Sequence, residues 1–254
     1  VAKPKKEELY KYLLRIGDNA LVLGQRLSEW CGHGPVLEQD IAITNISLDL
    51  IGQTRNWFQY AAQVDGRGQD EDDIAFLRDA WDFHNLLLVE QPNRDWAHTM
   101  VRQFIFDAFH YYFIQSLTES KDKQIAAIAE KSLKEIAYHL KYSSEWVIRL
   151  GDGTDVSHQK MQDAVDNLWM FTGELTEPDE LDGLMAKSGI GVDPQDIRPA
   201  IEAKLTRVLE EATLTIPRVA WMQRGGKQGI HTEHLGHLLA EMQFMQRAYP
   251  GLEW

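Results

Sequence analysis

Six side chains of types that bind metals or move protons fall where amphipathic helices would bury them: Asp18, Asn45, Asp49, Asp107, Glu135 and His139. Glu135 and His139 lie one turn apart beside a seam of Ala129, Leu133, Ile136, Leu140, Ser143, Val147 and Leu150, whose steps of four and three are those of a bundled helix. Asp18 interrupts a stripe of Leu14, Leu21, Gln25 and Ser28, and Asp107 one of Met100, Phe104, Tyr111 and Ile114. Asn45 and Asp49 share a face with Ala42 and Gly52. Burying such groups costs free energy unless each finds a partner or a metal.

Acids converging from four helices are the architecture of a carboxylate-bridged two-iron centre, which takes a Glu from each of two helices and Glu-x-x-His from each of the others. The donors here depart from that pattern. Asp18 is short, and neither Asn45-x-x-Leu48 nor Asp49-x-x-Gly52 supplies a histidine. Asp107-x-x-His110 has the spacing but a short acid, on a helix that ordinarily gives a lone Glu. After Glu135, His139 comes one residue late, a rotation of about 100° around the helix. The set reads as an internal hydrogen-bond and ion-pair network without a metal. Buried acids then need a cation, and a protonated His139 shared between two of them would serve. An autonomous di-iron monooxygenase with the unusual ligands Asp18, Asp49, Asp107, His110, Glu135 and His139 is the alternative.

Other motifs carry less. His231, His234 and His237 beside Glu233 step by three at a helix start and read as surface or capping residues. Arg224–Gly229, RGGKQG, lacks the spacing and hydroxyl of a phosphate loop. Asp82, Phe83, His84 and Asn85 mix polar and aromatic groups at what reads as a helix-packing edge.

These residues must be positioned by helices. The periodicity predicts long helices over 7–30, 38–64, 95–120 and from the turn at 120–122 to Gly151, with further ones over 156–175, 194–213 and 234–249. IAFLRDAWDFHNLLLVEQ is expected to form a third helix behind the acidic cap QDEDD, and a short piece is expected between Pro178 and Gly189. No alternating strand pattern or Asn-Gly hairpin occurs, so one all-helical domain over 1–254 is expected.

Composition sets bounds. A net charge of −13 argues against nucleic acid or an anionic membrane as the main partner. A single cysteine, Cys31, excludes an internal disulfide and a cysteine-based zinc site. No run approaches the ~20 apolar residues of a membrane span, and the lysine-rich start has no apolar signal segment, so a cytoplasmic location is expected.

The blocks LRIGDNALVLGQRLSEWCGHGP, NISLDLIGQTRNWFQYAA, FHNLLLVEQPN, EIAYHLKYSSEWVIRLGDGT and GIHTEHLGHLLAEMQFMQRAYPG resemble the C subunits of bacterial phenylacetyl-coenzyme A 1,2-epoxidases over nearly the whole chain. The resemblance implies a ferritin-like four-helix bundle with additional C-terminal helices and a non-catalytic, structural role in aerobic phenylacetate catabolism. It implies a homologous catalytic A subunit that holds the two irons, arranged with this chain as a dimer of heterodimers. A small B subunit and an NADPH-dependent flavin and iron-sulfur reductase complete the system. This chain is then expected to bind no iron, flavin or NADPH, with Asp18, Asn45, Asp49, Asp107, Glu135 and His139 as vestigial positions. The resemblance also places the coenzyme A part of the substrate near the A/C interface, an expectation carried to Asp82, Phe83, His84 and Asn85.

Overall fold

The computed structural model describes residues 4–218 and 221–252. Helices α1 (Lys6–Ser28), α2 (Leu37–Asp65) and α3 (Glu71–Phe76) are followed by α4 (Trp96–Leu117), α5 (Lys123–Gly151) and α6 (Asp155–Leu168). Then come α7 (Gly173–Thr176), α8 (Glu180–Ser188), α9 (Pro194–Glu211), α10 (Glu233–Met242) and α11 (Phe244–Ala248). Among the described residues there is no strand, and the fold is all-α, of the ferritin-like helical class. No described helix is long and apolar enough to cross a membrane.

Helix ends follow local chemistry. Asp95, Asp122, Thr154, Asp179 and Asp193 each accept first-turn backbone N–H groups, starting α4, α5, α6, α8 and α9. Left-handed Gly66 and Gly189 stop α2 and α8.

The described residues cluster into two compact units. The first comprises 4–92 with 225–252, built on the hairpin of α1 and α2. Its antiparallel register shows in Ser47 Oγ donating to Gly24 O (2.7 Å) while Thr54 Oγ1 donates to Gly17 O (3.3 Å). The helices approach closely at Gly17, where a Cβ would fall 2.3 Å from the Phe58 ring. The second unit, 93–218 with 221–224, pairs α4 with α5 across a short turn and packs α6 and α9 against them. On α5, Ile125, Ile128, Ala129, Ser132, Ile136, His139, Leu140, Ser143 and Val147 are buried, so the wide face expected from the sequence is the one turned inward.

Three expectations need correction. Helix α2 is rotated relative to the expected face: Ile43, Ile46, Ser47, Leu50, Gln53 and Trp57 are buried, while Ile41, Asn45, Leu48, Ile51 and Gly52 are exposed. The helix is apolar on two sides, and its packing on α1 selects the face that fits the glycines there. The expected third helix breaks after Phe76: Asp79 caps a short 3-10 turn at Ala80–Asp82, and 83–92 runs on without regular helix. What wins over helical periodicity is a set of long-range hydrogen bonds described below. The last helix is interrupted at Gln243, whose buried side chain donates to Ala75 O and Arg78 O (3.1 and 3.0 Å).

Candidate functional site

In the first unit, α1 carries Asp18 with no solvent exposure. Arg78 clamps it with both Nη atoms, Nη1 at 3.2 Å from Oδ2 and Nη2 on Oδ1, and the His84 backbone N–H donates to Oδ2 at 2.9 Å. Arg78 is itself fixed: Nε donates to Ile74 O (2.6 Å), Nη1 to Asp82 O (3.0 Å), and its guanidinium carbon lies 4.1 Å from the Phe83 ring centroid and 5.2 Å from that of Phe58. The counter-ion of Asp18 is thus this arginine. A bidentate, charge-assisted pair of this kind satisfies a buried carboxylate fully.

A second buried acid lies in the irregular 83–92 segment. Glu90 accepts from Asn85 Nδ2 (3.0 Å), His231 Nδ1 (2.9 Å), and Thr232 N and Oγ1 (both 2.7 Å). His231 Nε2 faces Phe83 O at 2.9 Å. Both ring nitrogens face acceptors, so both carry protons and the ring is an imidazolium. Burial alone would lower the His231 pKa, but the bonds and charge of Glu90 outweigh it and hold the ring above its ordinary value. His231 is therefore an internal ion-pair partner rather than a surface or capping residue. Arg26 ties the same region together, donating to Glu90 O and to His234 O.

The four residues expected near coenzyme A divide. Phe83 and Asn85 are wholly buried, one under Arg78 and the other on Glu90; Asp82 is exposed and His84 half-buried. Burial pushes the His84 imidazole down to about 4, against Asp18 and with help from Lys11, Arg15 and Arg78. Asn45 is exposed and Asp49 half-buried on α2, so neither lies in the core.

In the second unit, α4 carries Asp107, again fully buried. Gln103 Nε2 and Ser143 Oγ each donate to one of its oxygens at 2.7 Å. Burial raises its carboxyl to about 6, opposed by the positive field of His139 and by these two donors. His110, one turn on, stacks against Phe106 with centroids 4.9 Å apart, and its Nδ1 has no hydrogen-bond partner among the described residues. Burial, then the charge of His139, lowers it to about 3. Glu135 is only half-buried.

Both oxygens of Asp18 and of Asp107 are therefore taken by donors of this chain. Among the described residues, no three His, Cys, Asp or Glu side chains are placed to share a metal ion. The donor set does not fit a two-iron centre. The sequence reading missed Glu90 as a buried acid, although a lone carboxylate inside the run LLLVEQ was a signal for it. It also missed Gln103, although its place one turn before Asp107 on the same helix was a local signal; the clamp by Arg78 had none, since it depends on a neighbour 60 residues away.

The aromatic residues divide similarly. Trp57 is core, whereas Trp81 is 76% exposed. Along α5, Tyr138, Tyr142 and Trp146 form a partly exposed ladder, with Arg149 5.0 Å over the Trp146 ring.

The family model described as "Phenylacetic acid catabolic protein" matches residues 1–254. The C subunit of the 1,2-phenylacetyl-CoA epoxidase of Escherichia coli (strain K12) is 54% identical over 247 residues, covering 97% of this chain and 99% of that protein. Matched along its full length by the family model and at this identity by a curated relative, the chain belongs to the phenylacetic acid catabolic protein family.

Proposed function

We infer that this chain is the non-catalytic, structural subunit of a multicomponent 1,2-phenylacetyl-CoA epoxidase in aerobic phenylacetate breakdown. The observation that carries the reading is the state of its interior acids. In a chain 54% identical to the C subunit of such an epoxidase, Asp18 is spent on Arg78 and Asp107 on Gln103 and Ser143, where a catalytic ferritin-like subunit needs free carboxylates for iron. The helices are kept, and the groups on them hold one another. The autonomous di-iron monooxygenase reading has no support in this donor set.

The role is to stabilise and position a catalytic A subunit that holds the irons, in a dimer of heterodimers served by a small B subunit and an NADPH-dependent reductase. Phenylacetyl-CoA is turned over on that partner, in the cytoplasm. Of the segment assigned to coenzyme A, Asp82 and His84 are the groups able to reach a ligand, and His84 has the cations Lys11, Arg15 and Arg78 near it as well as Asp18. If they touch it, alanine at either position weakens coenzyme A binding by the A/C complex; if they only pack, stability alone falls.

The deciding experiment is a metal count on the isolated chain after growth with added iron, together with co-expression of the catalytic subunit. The reading expects no stoichiometric iron, no turnover by the chain alone, and co-purification of the two subunits. Two irons per chain would overturn it.

A further inference from the structure

The outward face of α5 is basic in an acidic chain. Lys123, Lys131, Lys134, Lys141 and Arg149 are all exposed, against three glutamates on the same helix and a formal charge of −13 on the whole chain. At 100° per residue the five cations fall within an arc of about 80°, along about 39 Å of helix axis. Of the glutamates on α5 only Glu145 shares that arc. It stands 3.9 Å from Lys141, with the two side chains 63% and 74% exposed, a contact too open to water to neutralise the lysine.

Aromatic rings are set into this stripe. Tyr138, 51% exposed, lies at its centre, with Tyr142 6.2 Å away and Trp146 6.5 Å beyond. Arg149 closes the row over the Trp146 ring at 5.0 Å. Rings already held by one another lose little rotamer freedom when a partner covers them, which suits them to recognition. No aliphatic side chain larger than alanine falls in the arc. A permanent subunit interface needs an apolar centre, and this face has none; charge with a few aromatic anchors is the composition of an encounter that forms and dissociates. The attraction is also selective. An acidic partner is repelled by the chain as a whole and drawn to this face, so long-range fields orient it before contact.

We propose that the α5 stripe is the docking face for the NADPH-dependent reductase of the complex, which meets it with an acidic surface. Of the protein partners inferred above, the electron donor is the one whose work is a repeated encounter, and electron-transfer contacts are small and charge-steered. The proposal rests on the reading of this chain as the structural subunit of such an epoxidase and adds where on it the transient partner sits.

The test is NADPH-dependent turnover by the assembled complex of this chain with its catalytic and B subunits, titrated with reductase at low and at high ionic strength. Lys134→Glu combined with Lys141→Glu raises the half-saturating reductase concentration at least about tenfold at low salt, the factor that 1.4 kcal/mol represents. Turnover at saturating reductase, the circular-dichroism melt and co-purification of the subunits stay as in wild type, and high salt removes the difference. Tyr138→Ala raises the half-saturating concentration at high salt as at low. Lys6→Glu on α1, a charge step equal to that of Lys141→Glu, leaves it unmoved. K134E/K141E matching wild type, or K6E shifting the value as far as K141E does, overturns the proposal. So does release of the catalytic or B subunit by K134E/K141E, which would make the face a permanent interface. A wild-type assembly without reductase-dependent turnover refutes the reading of function and this proposal with it, whereas an active assembly indifferent to the lysines refutes the proposal alone.

Discussion

Replacing Arg78 by Met is the sharpest probe of how this interior is held. Methionine keeps an apolar stem between the Phe58 and Phe83 rings but removes the guanidinium that clamps Asp18. Asp18, with no solvent exposure, is left with one backbone N–H, that of His84. Stranding a buried charge in this way costs about 3–5 kcal/mol. At the ~2–4 °C per kcal/mol typical of chains of this size, R78M should melt roughly 10 °C below wild type. Asp18→Asn removes the charge and leaves Arg78 its carbonyl acceptors at Ile74 and Asp82, so its loss should be smaller. The double variant D18N/R78M strands no charge, and its loss should fall short of the summed single losses by about 2–3 kcal/mol. Urea unfolding of the four proteins at neutral pH measures the cycle. An R78M loss under about 1 kcal/mol, or strictly additive singles, would refute the claim that this pair substitutes for a metal in satisfying the acid.

Three further outcomes follow from the geometry. His231 is held above its ordinary 6.5 by Glu90, so its contribution to stability is fully present below that value and is lost as pH rises through the higher folded one. The stability difference between wild type and His231→Gln, followed by urea midpoints from pH 5.5 to 9, should therefore shrink toward alkaline pH; a constant difference contradicts the imidazolium assignment. Asp107 rises from 3.8 to about 6, so its folded form favours the proton and wild type loses ground as pH climbs from 3.8 to about 6, with no further loss above that. Relative to Asp107→Asn, the loss between pH 4 and pH 8 should reach up to roughly 3 kcal/mol, at 1.36 per pKa unit, and a flat difference would refute it. Gly229 has φ +79°, and a Cβ there would fall 2.5 Å from Trp81 O, so Gly229→Ala should destabilise by at least about 1 kcal/mol in thermal melts, where an unchanged melt would show that the turn can shift.

The long helices were legible because their signals are local. Caps such as Asp95 and Asp122, the stops at Gly66 and Gly189, and the α5 seam are each set by residues within one or two turns. The rotation of α2 was not, because Ile43, Ile46 and Leu50 on one side compete with Ile41, Leu48 and Ile51 on the other, and only the packing against α1 decides between them. The 83–92 segment failed for a related reason: its periodicity is helical, yet Asp18, Asn19, His231 and Thr232, remote in sequence, hold its backbone and side chains elsewhere. In the interior site, the wrong donors for iron could be read from residue types and spacing, whereas the identity of the substitutes, Arg78 above all, required neighbours across the fold.

The clamp on Asp18 has a consequence for anyone rebuilding a metalloenzyme on this backbone. Lengthening the short acid to glutamate would hand the arginine a longer tether to seize, since the guanidinium is already anchored at Ile74 and Asp82 and roofed by two rings. An incoming cation would have to evict a resident one that cannot swing away. The anchored arginine is thus an obstacle over and above the missing donors, and resurrection would have to begin with it.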